Sequence, residues 1–169
     1  MEALIRYALS NFTLTLLAAG LLAAAIALAA GPRPVTRGRV LEAVFAWGLL
    51  VSVGIGFFYN FVMHVFFSET AAAFIGWETS PFQKEVGFAS LGFSVLGFLA
   101  FRGGFEMRLA AVSGIACFLW GAAAGHVVQM VEARNFAPGN AGPIFYTDLF
   151  LPLAGFALLA AQRRLRPRD

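Results

Sequence analysis

The sequence predicts an all-α fold, an integral membrane helical bundle of about five transmembrane helices forming a single domain over residues 1–169. Three observations carry that expectation. Hydrophobic residues make up 60% of the chain and charged residues 12%, about half the charge of a water-facing domain. Five apolar stretches approach the roughly 20 residues that cross about 30 Å of hydrocarbon. The arginines gather at one end of those stretches, as they do in cytoplasmic loops. A mean hydropathy of +0.78 and a single cysteine exclude a soluble globule, a disordered chain and a disulfide scaffold. The pI of about 9.6 does not point to nucleic acid, because the basic residues form no one patch. Helices are expected because lipid cannot satisfy open backbone groups, and the alternating ten-residue segments of a barrel are missing.

Span 1 runs from about Tyr7 to Ala30 and is stopped by Gly31-Pro32-Arg33-Pro34. Span 2, about Val40–Phe67, carries Gly48, Ser52, Gly56, Asn60, His64 and Ser68 every four residues. Such a row drifts about 40° per step on a helix, so only neighbours share a face. Residues 69–79, containing Ala71-Ala72-Ala73-Phe74-Ile75-Gly76-Trp77, are too short to span and read as an interfacial or re-entrant segment with Trp77 as its anchor. Ser80-Pro81-Phe82-Gln83 has the spacing of a capping box. It opens span 3, about Pro81–Phe101, and sets Glu85 near a helix N-terminus, where the dipole favours a carboxylate. Gly103-Gly104 links it to span 4, about Met107–Val131, with Cys117, Gly121, Gly125 and Gln129 in a row. Gly121 and Gly125 form a GxxxG pair suited to close helix packing, and Cys117 reads as a small packing residue. The turn-rich Asn135–Pro143 loop leads into span 5, about Pro143–Ala161, where Pro152 clashes with the carbonyl of Asp148 and kinks the helix beside it.

Charge sets the orientation. Arg33, Arg37, Arg39, Arg102, Arg108, Arg163, Arg164, Arg166 and Arg168 fall on one side, and Arg6, Lys84 and Arg134 on the other. That places the N-terminus outside and the C-terminus in the cytoplasm of a prokaryotic plasma (inner) membrane. The rival reading of span 1, a signal peptide cleaved at Ala27-Leu28-Ala29, needs an unusually long apolar run. It also leaves Arg33, Arg37 and Arg39 outside, against the charge rule.

Ionisable residues within spans point to function by default. Counted from the arginine end at 1.5 Å per residue, Asp148 lies about 22 Å from Arg163, Glu85 about 25 Å from Arg102, and His126 about 27 Å from Arg108. His64, about 37 Å from Arg39, and Glu69 complete an outer cluster of both histidines and three acids. Asn60, Gln129, Asn140 and Tyr146 stand as supporting partners. Several chemistries fit His64, Glu69, Glu85, His126 and Asp148. Two imidazoles and carboxylates suit a divalent metal or small cation, and Met63 and Met130 make copper conceivable. Two histidines on separate helices suit a b-type haem. Acids in series suit a proton or small-solute pathway. The same groups could instead hydrogen-bond one another and seal that end of a structural or accessory subunit. The expected partner is the lipid bilayer, with a homo-oligomer or a partner membrane subunit also compatible. No reaction is specified.

Three strings carry a resemblance: Phe61-Val62-Met63-His64-Val65-Phe66-Phe67, then Ile75-Gly76-Trp77 through Ser80-Pro81-Phe82-Gln83-Lys84-Glu85-Val86-Gly87-Phe88-Ala89, and Asn135-Phe136-Ala137-Pro138-Gly139-Asn140-Ala141-Gly142-Pro143-Ile144-Phe145-Tyr146-Thr147-Asp148. Over about Gly56–Pro152 the chain resembles a family of small prokaryotic membrane proteins of unknown function. The resemblance implies the membrane class and no mechanism.

Overall fold

A computed structural model describes residues 1–165, the side chain of Arg6 excepted. Arg166 and Arg168, counted in the basic flank, lie outside the described residues. The helices run in the order α1 (Glu2–Ser10), α2 (Phe12–Ala30), α3 (Arg37–Trp47), a π-helical stretch (Gly48–Ile55), α4 (Gly56–Phe66), α5 (Ser68–Ile75), α6 (Phe82–Phe101), α7 (Phe105–Glu132), α8 (Pro138–Ala141) and α9 (Pro143–Leu165). The described residues contain no strand. Five helices are long and apolar enough to cross a membrane: Phe12–Ala30, Arg37–Phe66, Phe82–Phe101, Phe105–Glu132 and Pro138–Leu165. The expected all-α architecture with five spans is therefore present.

Span 1 differs from expectation at its start. The helix breaks at Asn11 (φ −118°, ψ 36°), so α1 is a separate short helix. The Asn11 side chain donates to Tyr7 O and the Thr15 hydroxyl to Ala8 O. These local bonds satisfy backbone carbonyls at the break, as Asn and Thr side chains commonly do.

The second span holds the π-helical stretch. Its signature is the Gly56 N–H, which reaches Val51 O five residues back. A four-residue step overshoots an α turn and undershoots a π turn. The drift of the Ser52, Gly56, Asn60, His64 row is thereby partly undone, and all four side the same cavity.

Tight packing occurs where the sequence did not mark it. A Cβ on Gly97 of α6 would lie 2.5 Å from Gly54 N, so two backbones touch there. The buried Ser94 hydroxyl donates to Gly54 O at 2.7 Å across the same contact. Gly121 of the GxxxG pair meets nothing within 4 Å, and Gly125 meets the Trp77 ring rather than a helix. The capping box also fails to form. Pro81 already has helical angles (φ −56°, ψ −30°) and no side chain caps α6, while Gln83 N–H bonds to the Ser80 carbonyl.

The apolar core lies at the end of the bundle nearer the arginine loops. Phe45, Leu49, Phe57, Ala100, Ala111, Val112, Ile115, Leu119 and Leu159 bury each other there. Arg108, expected as a basic flank, belongs to this core and is 1% exposed. It makes a bidentate pair with Glu42, at 2.7 and 2.6 Å. It also donates to Ala100 O and Phe101 O, closing the carbonyl end of α6, and lies over the Phe45 ring at 5.1 Å. One guanidinium thus ties α3, α6 and α7 together. At the opposite end the helices leave room for cavities.

Candidate functional site

The site is built where two loops meet. α5 ends at Gly76 in the left-handed region (φ 77°), where glycine carries no steric penalty. Asn135 Nδ2 then donates to Ile75 O and Gly76 O, satisfying the end of α5. Gly139 sits so close that a Cβ would lie 2.6 Å from Phe74 O. The turn-rich loop is therefore held against α5, and α8 is placed beside α7.

Asn140, fully buried, is the centre of this arrangement. Its Nδ2 donates to Asn135 O at 2.9 Å and His126 O at 3.2 Å. Both partners are carbonyls, so the amide orientation is fixed and Oδ1 must be the acceptor. Oδ1 accepts from Trp77 Nε1 at 3.0 Å and meets His126 Nδ1 at 2.7 Å. The His126 Nδ1 therefore carries a hydrogen and donates it. Nε2 is left facing Asp148 Oδ2 at 3.8 Å. His126 and Asp148 are each 6% exposed. The Trp77 ring lies 5.5 Å from the imidazole and the Phe145 ring 6.4 Å. At that separation the two groups face each other without a direct hydrogen bond. Pro152 is buried within α9 and has no N–H to offer the Asp148 carbonyl.

This pair borders a chamber of about 500 Å³, within the size range of small-molecule sites. α2 and the second span form one side, and α7 and α9 the other. Thr13, Ser52, Asn60 and His64 line it together with His126 and Asp148. Asn60 Nδ2 donates to Ser90 Oγ, which donates on to Val86 O. Thr13 Oγ1, Ser52 Oγ and His64 Nδ1 are buried without a protein partner. Two further cavities adjoin. One of about 340 Å³ shares Asn60, His64 and Ile144 with the chamber and reaches α1 and α5. One of about 200 Å³ shares Ser52, Phe57, Leu119 and Leu151 and reaches Phe45.

Of the five residues expected to form a ligand set, the structure brings His64, His126 and Asp148 to one chamber. Glu69 and Glu85 stand in the first turns of α5 and α6. Both are exposed and neither borders this chamber or its two neighbours. Among the described residues no three His, Cys, Asp or Glu side chains are grouped to hold a metal ion. The metal expectation is corrected accordingly: equal depth in the membrane placed the acids at the right height but on outward faces. A haem does not fit His126 either, because the Asp148 carboxyl stands in front of Nε2, where the iron would bind.

Of the expected supporting residues, Asn60 lines the chamber and Asn140 holds His126. Gln129 borders none of these cavities, and its carbonyl closes the end of α7 by accepting from Ala133 N and Asn135 N. Tyr146 is 54% exposed and packs on Phe145. Sequence reasoning missed Trp77, read as a lipid anchor, and Thr13. Cys117, read as packing, is exposed and borders the chamber.

No curated protein and no solved structure matches the chain. One family model matches residues 10–168, and by that match over nearly the whole chain the protein belongs to a family of unknown function (DUF6790).

Proposed function

We propose that the protein is a multi-pass protein of the prokaryotic plasma membrane whose chamber forms a proton or small-solute pathway, with His126 and Asp148 as its proton-exchanging pair. The observation that carries this reading is the set of unpartnered atoms. Thr13 Oγ1, Ser52 Oγ and His64 Nδ1 are buried without a protein partner and all belong to residues of the chamber that holds the pair. Leaving one buried polar group unpaired costs about 1–3 kcal/mol. A bundle built only for stability would pair such groups or replace them with apolar ones. Three of them around one cavity call for water or a hydrogen-bonding ligand.

The orientation follows from the remaining basic residues. Arg33, Arg37, Arg39 and Arg102 lie in or beside the α2–α3 and α6–α7 links, and Arg163 and Arg164 in the last turn of α9. Even without Arg108 this asymmetry favours those ends in the cytoplasm. The chamber then lies in the extracytoplasmic half.

The test is proton flux into liposomes carrying the purified protein and an entrapped pH-sensitive dye, after an external pH jump. Wild-type vesicles are expected to equilibrate faster than protein-free ones. Asp148→Asn and His126→Ala are expected to return the rate to background. Equal rates in all four preparations overturn the reading.

A further inference from the structure

Resting on the reading of the chamber as a ligand site, we propose that its ligand is an amphiphile drawn from the bilayer, with hydrogen-bond acceptors on its head group and a linear apolar tail. Three features point to this chemistry. The first is the way in. Cys117 and Gly121 of α7 are both exposed and both border the chamber. Cys117 stands 12 residues from Phe105, about 18 Å along α7 at 1.5 Å per residue. These exposed positions lie on the side of the bundle at mid-helix, at hydrocarbon depth, and the exposed Trp77 borders the chamber at its loop end. A solute dissolved in the lipid reaches it directly.

The second feature is the distribution of polarity. The groups that can bind a head group, Asn60, His64, His126 and Asp148, all line this one chamber. The aromatic rings of Phe57, Trp77 and Phe118 stand around them. The third feature is the space beyond. The adjoining cavity of about 200 Å³ is bordered by Leu49, Val53, Val112, Ile115 and Leu158 and takes one polar neighbour, Ser52. A polar solute gains nothing there, whereas a tail fills it with dispersion contacts. Two membrane molecules share the chemistry, a tailed quinone and a fatty acid.

The experiment uses full-length protein in lipid nanodiscs. Decylubiquinone is titrated, and the read-out is quenching of the fluorescence component that Trp77→Phe removes. The expected result is saturable quenching in wild type. It is lost in Gly121→Phe, which fills the mouth at a position where a Cβ meets nothing within 4 Å. Cys117→Phe is a second block, in case the first fails to fold. Oleate is the competing arm. Displacement of the quinone assigns both heads to the site, and absence of displacement restricts it to the quinone class. Quenching that rises linearly, or is equal in wild type and both blocked variants, overturns the proposal and leaves the proton pair untouched. Proton flux that Asp148→Asn removes is read in wild-type protein without quinone, so failure of the amphiphile proposal and failure of the proton reading give different results.

Discussion

Replacing Arg108 is the perturbation that the fold is least able to absorb. Its side chain is 2% exposed and makes four donations: two to Glu42, one to Ala100 O and one to Phe101 O. Glu42 has 56% of its side chain exposed, so solvent screens the attraction between the charges and the pair counts for less than a fully buried one. The larger loss is elsewhere. Arg108→Ala strips two α6 carbonyls of their donor, empties the volume over Phe45, and unties α3 from α6 and α7. Two carbonyls left without this donor cost about 1–3 kcal/mol each, with the emptied volume in addition. Arg108→Lys keeps the charge but not the fork and falls between. Glu42→Gln keeps the two carbonyl bonds and one amide oxygen, at a cost of about 1–2 kcal/mol. The assay is unfolding by dodecyl sulfate in mixed micelles, followed by far-ultraviolet circular dichroism. The order Ala, Lys, Gln from most to least damaging is expected. Arg108→Ala within 1 kcal/mol of wild type, or Glu42→Gln as damaging as Arg108→Ala, would refute this reasoning.

Two further substitutions test the packing and the site. Gly97→Val forces a branched side chain into the backbone of Gly54, 2.5 Å from where its Cβ would lie, and should cost at least about 3 kcal/mol in the same titration, since overpacking has no soft neighbour here. Gly121→Ala is the control, expected to be neutral or stabilising by up to about 1 kcal/mol. Asn140→Ala leaves Trp77 Nε1, His126 Nδ1 and two carbonyls without their partner; destabilisation of about 2 kcal/mol or more is expected, together with a red-shifted Trp77 emission, and unchanged emission would show that Asn140 does not hold the indole.

The five spans were legible because length and hydropathy are one-dimensional quantities. Gly31-Pro32, Gly103-Gly104 and Pro143 punctuate the chain where the helices do end or begin. The site was legible only in height. Counting from the arginines placed His126, Asp148 and Glu85 at similar depth, but depth says nothing of azimuth, and Glu85 is exposed at the start of α6. Asn140 was recognisable because a polar residue among turn formers has to satisfy backbone groups. Trp77 was not, since a tryptophan after an apolar segment looks the same whether its N–H meets water or Asn140 Oδ1. Arg108 was misplaced for a related reason. Near the end of a span an arginine normally flanks the membrane, and the one signal against it was Glu42, a carboxylate inside the second apolar stretch. The GxxxG pair failed because small residues permit a close approach without requiring one, whereas Gly54 and Gly97, which make it, have no shared motif.

The arrangement of cavities ties these findings to a direction of working. The three cavities follow one another, sharing Asn60 and His64 at the first junction and Ser52 and Phe57 at the second. The last cavity reaches Phe45, and the Arg108 guanidinium lies over that ring at 5.1 Å. Beyond it Glu42 is in contact with the surroundings. One aromatic ring and one ion pair therefore close the arginine end, while loops held by Asn135 and Asn140 frame the other. A closure made of packed aliphatic side chains would have to unpack to open. Phe45 is itself 2% exposed and packed in the apolar core, whereas the exposed Glu42 can exchange its bonds for water at little cost. The Glu42 and Arg108 variants are therefore expected to differ: loss of the exposed partner leaves the bonds to Ala100 O and Phe101 O, and loss of the buried one removes all four donations.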